Sequence, residues 1–313
     1  MKRTLFIKLS LLLLSFFVFT CAHSANDKAF VWEVRSDQDP SNQAVVYLMG
    51  SIHFADKSFY PLRPEIEEAF ARSQYLVVEL DIYKTDHQAY ARLLSQRGVY
   101  KDGTTIKDII SNETWLQLRQ HLRLLNIDYE GVKNYKPGIL VLTLSAAQVM
   151  QMGFDAQLGI DVYFLTKASQ SGQLNPESLK HGQPKKILEL ETLEQQLNLF
   201  LNIPNGDLLL KESLYSLDEA ELLMADVVRY WKQGDEKQMN KLLFEDALND
   251  YPEFSEIYDS LFYDRNKKMT IKIDEMLKQK QGSYFVVVGS GHLIGEKGIV
   301  NALKGKGYKV KRL

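Results

Sequence analysis

Two histidines follow the same short motif at opposite ends of the 313-residue chain. The motif is GSIH at 50–53 and GSGH at 289–292, and each copy comes directly after an apolar run typical of a buried strand. Glycine lets the backbone turn sharply where a strand ends. A side chain just beyond lies at the carboxyl edge of the sheet, where α/β proteins bind ligands. We therefore expect His53 and His292 to be exposed there, where an imidazole can titrate or bind a metal near neutral pH.

A carboxylate in a third apolar segment could complete a reaction centre. Glu79 lies in LVVELD at 76–81, a pattern that predicts a strand with Glu79 and Asp81 on one face. A buried glutamate costs several kcal/mol unless it is paired, protonated or bound to a cation. One interpretation is a salt bridge to an arginine. The other is that His53, Glu79 and His292 meet, since two imidazoles and a carboxylate commonly bind zinc, manganese or cobalt and leave a position for water. The metal would lower the pKa of that water toward ~7.

Four further polar residues could support such a centre. Asp161 either caps a helix or takes part in the site, and Glu191 could cap a helix or orient a ligand. Arg265 is a solvated charge, or it holds a substrate carboxylate or pairs with Glu79. Asn266 could stabilise an oxyanion.

The remaining histidines and the motif serines have structural interpretations. His87, His121 and His181 have no matching partner in the sequence, so we expect them to be surface or structural residues. Ser51 and Ser290 lack the GxSxG pattern of a serine nucleophile and are interpreted as turn formers.

The elements that would carry these residues follow from the hydrophobic pattern. It predicts strands at 30–34, 45–49, 76–80, 186–190, 284–288 and 308–311. It predicts helices at 63–71, 113–125, 139–152, 160–169, 208–231, 257–279 and 297–303. A turn-rich loop between the first two strands predicts a hairpin. The expected fold is α/β, with a central mixed sheet built from both chain ends and a large helical insertion at about 86–280. No linker divides the chain, so 25–313 is predicted to be a single domain.

The first 24 residues have the pattern of a secretory signal peptide. Basic residues precede an apolar run at 11–19 that is too short to span a bilayer of roughly 30 Å. Ala22 and Ser24 suit cleavage after Ser24, or after Ala22. The residues before Cys21 form a poor lipid-attachment signal, so we do not expect anchoring through that cysteine. The sequence therefore predicts a periplasmic or secreted protein.

Loss of this segment would remove three of the 38 basic residues and none of the 40 acidic ones, leaving a net charge of −5. The sequence has no basic stripe of the kind that would indicate a nucleic-acid partner. No later stretch reaches 18 apolar residues, so no transmembrane segment is expected after the signal. The only cysteine would be lost too, and the mature protein would have no disulfides.

Further motifs accompany the two histidine motifs in a specific order. They are VVELD at 77–81, GID at 159–161, LETLEQQL at 190–197, RN at 265–266 with Met269, and a closing FVVVGSGH followed by a helix and GYKV. Together they resemble the TraB/GumN family over essentially the whole mature chain. The chain is also similar to the animal Tiki proteins and, more distantly, to the erythromycin-esterase and ChaN-like group. Glu189 departs from the pattern of the TraB/GumN family, in which a glycine often stands directly before the Leu-Glu-Thr motif.

The resemblance implies that the two motif histidines and the intervening glutamate, here His53, Glu79 and His292, form a catalytic metal centre. Tiki proteins are described as metal-dependent proteases that cleave a secreted signalling protein. We therefore predict an exported metal-dependent hydrolase of peptidase type, with a divalent manganese, cobalt or zinc ion and a peptide or protein substrate. Glu79 would be a metal ligand or the general base. Arg265 and Asn266 would position the substrate or stabilise the oxyanion.

Two other functions are compatible with the same residues. The histidine cleft could bind haem, iron or another small ligand without turnover, as ChaN-like relatives would imply. Alternatively, a histidine could act as the base in hydrolysis without a metal. The sequence leaves open the substrate, the identity of the metal, the oligomeric state and the role of the helical insertion.

Overall fold

The computed structural model describes residues 28–36, 39, 41–171, 185–203 and 205–313. The predicted signal peptide and His181 lie outside these residues. All six predicted strands are present. They are β1 (Val31–Ser36), β2 (Val45–Ser51), β3 (Tyr75–Val78), β4 (Lys186–Glu189), β5 (Ser283–Gly289) and β6 (Tyr308–Arg312).

These strands form one mixed sheet in the order β4-β3-β5-β2-β1-β6. β5 pairs in parallel with β2 on one side and β3 on the other, and β3 pairs in parallel with β4. β1 is antiparallel to β2 and to β6, so the predicted hairpin is confirmed. The last two strands of the chain are thus built into the sheet begun by the first three. The predicted central sheet made from both chain ends is confirmed.

Helices fill most of the chain between β3 and β5. Within the described residues the α-helices are α1 (Pro64–Arg72), α2 (His87–Arg97), α3 (Ile106–Ile109), α4 (Asn112–Leu124), α5 (Tyr129–Val132), α6 (Pro137–Gln151), α7 (Ile160–Ser171), α8 (Leu193–Leu201), α9 (Gly206–Asp218), α10 (Ala220–Gln233), α11 (Glu236–Asn240), α12 (Asp246–Asp250), α13 (Ser255–Tyr258), α14 (Asp264–Leu277), α15 (Ser290–Leu293) and α16 (Ile299–Gly305). Helices α2 to α14, interrupted by β4, make up the predicted insertion. No helix of the described part is both long and apolar enough to cross a bilayer.

Two predicted helices differ from the structure in their extent. The helix predicted at 208–231 is two helices, because the chain leaves the helical path at Glu219, where φ is −104° and ψ is 7°. No proline or glycine marks this break in the sequence. The helix predicted at 257–279 consists of α13, a π-helical turn at Asp259–Tyr263, and α14. The π-helical turn contains no proline or glycine, the residues that usually mark a change in a helix, so the sequence does not reveal it.

Aromatic packing fixes two helices against the sheet. Phe70 of α1 and Phe164 of α7 have ring centroids 5.5 and 4.7 Å from that of Phe285 in β5, and 5.0 Å from each other. All three side chains are buried. Aromatic pairs of this kind contribute about 0.5–1.5 kcal/mol each beyond the burial of their area. The packing holds the first turn of α7 near the end of β2.

A buried tryptophan attaches the insertion to the same strand. Trp231, in the last turn of α10, is fully buried, and its Nε1 donates a hydrogen bond to the carbonyl oxygen of Gly50 at 2.9 Å. Gly50 opens the first GSxH motif. The last turn of α10 is therefore fastened to the strand that leads to His53.

Helices α6 and α8 approach each other closely at a glycine. A Cβ atom on Gly138 would lie 1.9 Å from the carbonyl oxygen of Phe200, so no larger residue fits without moving one helix. Helix α8 starts two residues after Glu191. The contact therefore helps to place that carboxylate.

Substitution of Gly138 by alanine is expected to destabilise the protein by about 1–3 kcal/mol, because an overpacked contact must open. Gly131 in α5 is the matched control, since a Cβ there meets nothing within 4 Å. Gly131→Ala is expected to leave the free energy of unfolding unchanged or to raise it by up to ~1 kcal/mol. Urea unfolding followed by circular dichroism measures both values. Equal stability of the two variants would contradict the close approach of α6 and α8.

Candidate functional site

Four neighbouring parallel strands each end near a residue of the predicted site. In the order of the sheet these are Glu191, two residues after β4; Glu79, one residue after β3; His292, three residues after β5; and His53, two residues after β2. Because the strands run in the same direction, these residues lie along one edge. Ligands of open α/β sheets bind outside this edge.

Three side chains meet beside the backbone of Gly289. A Cβ atom placed on Gly289 would lie 3.5 Å from Oε1 of Glu79, 3.6 Å from Nε2 of His53 and 3.5 Å from Cδ2 of His292. The lack of a side chain at this position keeps the space between them open. The structure thus brings together the two histidines and the glutamate that the sequence singled out.

His292 is buried, so the expected exposure of this imidazole is wrong. The chain passes from β5 directly into α15, which carries His292 inward. Its Nδ1 lies 2.6 Å from Oδ1 of Asn266, whose Nδ2 donates to the carbonyl oxygen of Lys297 at 3.0 Å. The carbonyl of Lys297 can only accept, so Nδ2 of Asn266 points toward it and Oδ1 points toward His292. Because Oδ1 is an acceptor, the proton of the imidazole lies on Nδ1. Nε2 is therefore the nitrogen with the free lone pair.

That lone pair faces a carboxylate. Nε2 of His292 lies 3.9 Å from Oε1 of Glu79. Burial lowers the pKa of His292 to about 4, so the imidazole is neutral at neutral pH. Two acceptors that face each other are satisfied by a cation or a water molecule between them.

His53 lies at the mouth of the site, with 55% of its side chain exposed. Its Nδ1 lies 3.2 Å from Oδ2 of Asp161, and Oδ1 of Asp161 accepts a hydrogen bond from Oγ of Ser51 at 3.0 Å. Helix α7 comes this close because Gly159 precedes it, where a Cβ would lie 2.4 Å from the carbonyl oxygen of His53. The carboxylate of Asp161 raises the pKa of His53 to about 9.

Glu79 is held by a buried arginine. Nη2 of Arg265 donates to Oε2 of Glu79 at 2.6 Å and to Oε2 of Glu191 at 2.7 Å, and its Nε donates to Oε1 of Glu191 at 2.9 Å. Oε1 of Glu79 accepts from the backbone N–H of Gly289 at 2.7 Å. Burial acts to raise the pKa of Glu79, but the neighbouring imidazoles and Arg265 outweigh it and lower the pKa to about 2. Glu79 is therefore ionised at neutral pH.

Two predicted catalytic residues contact other groups of the site. Arg265 is only 13% exposed and pairs with Glu79 and Glu191, and the pairing with Glu79 is one of the alternatives that the sequence left open. Both polar atoms of the Asn266 side chain are bonded within the protein, so this residue orients His292 and does not face an oxyanion.

Other residues considered in the sequence take structural places. Ser290 donates its Oγ hydrogen to the carbonyl oxygen of Ser51 at 2.9 Å and so links the ends of β5 and β2. β3 ends at Val78, so strand alternation does not set the direction of Asp81, which accepts from the backbone N–H of Tyr83. His121 is buried beside a carboxylate, as expected for a structural histidine.

Gln196 is a site residue that the sequence did not single out. Its Nε2 donates to Oε2 of Glu191 at 3.1 Å and lies 3.5 Å from Oε2 of Glu79. Helix α8 places it there, and a capping box of Thr192 and Gln195 begins that helix. The available signal was its place in the LETLEQQL motif, five residues after Glu191.

A cleft of about 290 Å³ opens in front of these groups. Its lining includes the polar residues Ser51, His53, Glu79, Asp161 and Gln196 and the apolar residues Phe54, Leu80 and Ile82. The donor types suit a divalent cation. Within the described residues, however, no three His, Cys, Asp or Glu side chains are arranged to hold a metal ion as they stand.

Replacing Arg265 with methionine is expected to destabilise the protein by about 3–5 kcal/mol at pH 7, because Glu79 and Glu191 are left as unpaired buried charges. The folded-state pKa of Glu79 is depressed, so its contribution is present above the unfolded value of 4.5 and is lost as the pH falls toward 2. The loss in Arg265→Met should shrink in that range. The exposed Arg72–Glu68 pair is the control, and Arg72→Met should cost below about 1 kcal/mol. Similar losses of unfolding free energy in Arg265→Met and Arg72→Met, measured by urea unfolding, would refute the buried pair.

Replacing Asp161 with asparagine is expected to return the pKa of His53 toward 6.5, because the carboxylate that favours the imidazolium is removed. The raised folded-state pKa means that this pair stabilises the fold below pH 6.5 and stops doing so as the pH rises through about 9. Titration of the imidazole signals by NMR in metal-free protein measures the shift. An unchanged His53 titration in the variant would show that Asp161 does not control it.

Comparison with known proteins gives a consistent family assignment. The chain is 24% identical over 276 residues to YbaP of Escherichia coli (strain K12), covering 88% of this chain and 93% of that protein. It is 23% identical over 334 residues to Metalloprotease TIKI2 of Xenopus tropicalis, covering 90% of this chain and 59% of that protein. No solved structure matches significantly. The TraB/PrgY/gumN family model matches residues 30–312, and the chain belongs to that family.

Proposed function

We propose that this protein is an exported metal-dependent hydrolase of peptidase type, with His53, Glu79 and His292 as its reaction centre. The observation that carries the proposal is the convergence of these three side chains beside Gly289, at 3.5 to 3.6 Å from one point. Relatives of the same family that are named metalloproteases support the class of reaction. Export rests on the sequence of the first 24 residues, and a periplasmic or secreted location follows from it.

The two imidazoles are held in the same manner. Nδ1 of His53 lies against Asp161, and Nδ1 of His292 lies against Asn266. An oxygen acceptor at one ring nitrogen fixes the direction of the ring and leaves the other nitrogen for a metal. A manganese, cobalt or zinc ion held by His53, Glu79 and His292 would supply an acidified water and polarise the scissile carbonyl.

Glu79 is better suited to be a ligand than a general base. A pKa of about 2 makes its carboxylate a weak proton acceptor at neutral pH. Its Oε2 is engaged by Arg265, and Oε1 faces the open space between the histidines. Arg265 and Asn266 are then positioning residues, which act through Glu79 and His292.

The lining of the cleft and the relatives named metalloproteases support a peptide or protein substrate. The exposed ring of His53 marks its mouth, and Phe54, Leu80 and Ile82 line it with partly exposed apolar surface. Apolar walls with a few convergent polar groups are typical of small-ligand and substrate sites. The two alternative functions differ from this proposal in their response to added metal. A protein that only binds haem or another ligand gives no cleavage with or without metal, and metal-free hydrolysis gives cleavage without it.

Metal-stimulated turnover by the mature chain, residues 25–313, tests the proposal. A peptide library is incubated with the protein in chelator and then with manganese, cobalt or zinc, and cleavage is followed by mass spectrometry. We expect cleavage only with metal, reduced by roughly 100-fold or more in His53→Ala and His292→Ala. Cleavage that resists chelators would favour the metal-free alternative. No cleavage under any condition, with ligand binding retained, would favour the binding protein.

Replacing Gly289 with alanine tests the location of the centre. The new methyl group would make only ordinary contacts, and the φ of −50° at this position is open to alanine, so the fold should be retained. The methyl would however occupy the point where the three groups meet, and cleavage should fall by roughly 100-fold. Gly305→Ala is the matched control, since a Cβ there meets nothing within 4 Å. Full activity of a folded Gly289→Ala protein would place the reaction elsewhere.

A further inference from the structure

A second and larger cavity lies where three helices of the insertion end. It has a volume of about 550 Å³, and residues from the last turns of α4, α6 and α9 line it. Helix α9 packs against both α4 and α6, so their ends are held side by side. The carboxyl end of a helix carries a partial negative charge from its unpaired carbonyl groups. Three such ends meet at this cavity.

The charged side chains of the cavity have the same sign. Asp218, Glu219 and Glu221 line it, and no lysine or arginine is among its described lining residues. The amino end of α10 also lies here, but Glu219 and Glu221 flank its first residue. On the floor, Nε2 of the buried His121 lies 3.1 Å from Oδ1 of Asp218. The potential in the cavity therefore favours a cationic occupant.

Large apolar side chains stand at the same place. Leu222 is 75% exposed and Leu124 is 59% exposed, and both line the cavity. Single exposed apolar residues are ordinary, but a cluster bordered by polar groups marks an interaction surface. We call this surface, formed by Leu124, Leu222, Asp218, Glu219 and Glu221, the acidic groove.

We propose that the acidic groove docks a cationic amphipathic peptide segment. Lysine or arginine side chains of the segment would face Asp218, Glu219 and Glu221, and its apolar side chains would cover Leu124 and Leu222. An amphipathic helix laid into an apolar groove is a common mode of peptide recognition. Charge complementarity selects a basic segment over an acidic one. The proposal does not depend on hydrolytic activity.

The test uses a fluorescein-labelled peptide of about 15 residues, long enough to form a helix, with leucines on one face and lysines on the other. A second peptide carries glutamate in place of every lysine. Fluorescence anisotropy measures the affinity of each for the mature chain in chelator, at low salt and at about 0.15 M salt. We expect the lysine peptide to bind, the glutamate peptide not to bind, and salt to weaken the binding of the lysine peptide.

Four variants locate the binding surface. Leu222→Ser removes apolar area and Glu221→Lys reverses one charge, and each should weaken binding of the lysine peptide about tenfold. Ile271→Ser and Glu275→Lys are matched controls, because both residues are exposed on α14 and neither lines the groove. These two variants should bind like the unaltered chain.

Three results would overturn the proposal. The first is equal binding of the glutamate peptide, and the second is unchanged affinity in both Leu222→Ser and Glu221→Lys. The third is found by sedimentation of the free chain. If the chain dimerises at the concentrations used and Leu222→Ser restores the monomer, then a second copy covers the groove.

Discussion

A single buried guanidinium connects three distant parts of the chain. Arg265 lies in α14, and the carboxylates that it binds follow β3 and β4. Two buried carboxylates beside each other are costly without a cation between them, and Arg265 supplies that cation. The interaction therefore sets the position of Glu79, and through Glu79 the spacing of the groups around Gly289. It also attaches the helical insertion to the carboxyl edge of the sheet.

The parallel pairing of β2 with β5 supplies the other constraint. Ser51 is paired with Gly289 in the register of the two strands, so both GSxH motifs leave the sheet at nearly the same level. Beyond that level the motifs diverge. The segment after β2 continues as an exposed loop that carries His53. The segment after β5 enters α15, which buries His292. Similar motifs thus give one accessible imidazole with a raised pKa and one buried imidazole with a lowered pKa.

The sequence predicted the sheet and the meeting of its polar ends because both depend on local patterns. Short segments with β-branched, aromatic or other apolar residues marked the strands, and strands of one direction share an edge. It did not predict the burial of His292, the break at Glu219 or the part played by Gln196. The burial of His292 depends on its contact with Asn266 of a different helix, which local patterns do not encode. The break at Glu219 has no proline or glycine to mark it. The catalytic roles of His53, Glu79 and His292 stay predictions.

Helix α10 joins two surfaces that would otherwise be separate. Its first turn contributes Glu221 and Leu222 to the acidic groove, and its last turn contributes Trp231, which is bonded to Gly50. At 1.5 Å per residue its 14 residues form a stiff rod of roughly 20 Å. A shift of this rod along its axis would pull on the peptide unit three positions before His53. A segment docked in the acidic groove would therefore contact a helix whose other end is bonded to the strand that leads to His53.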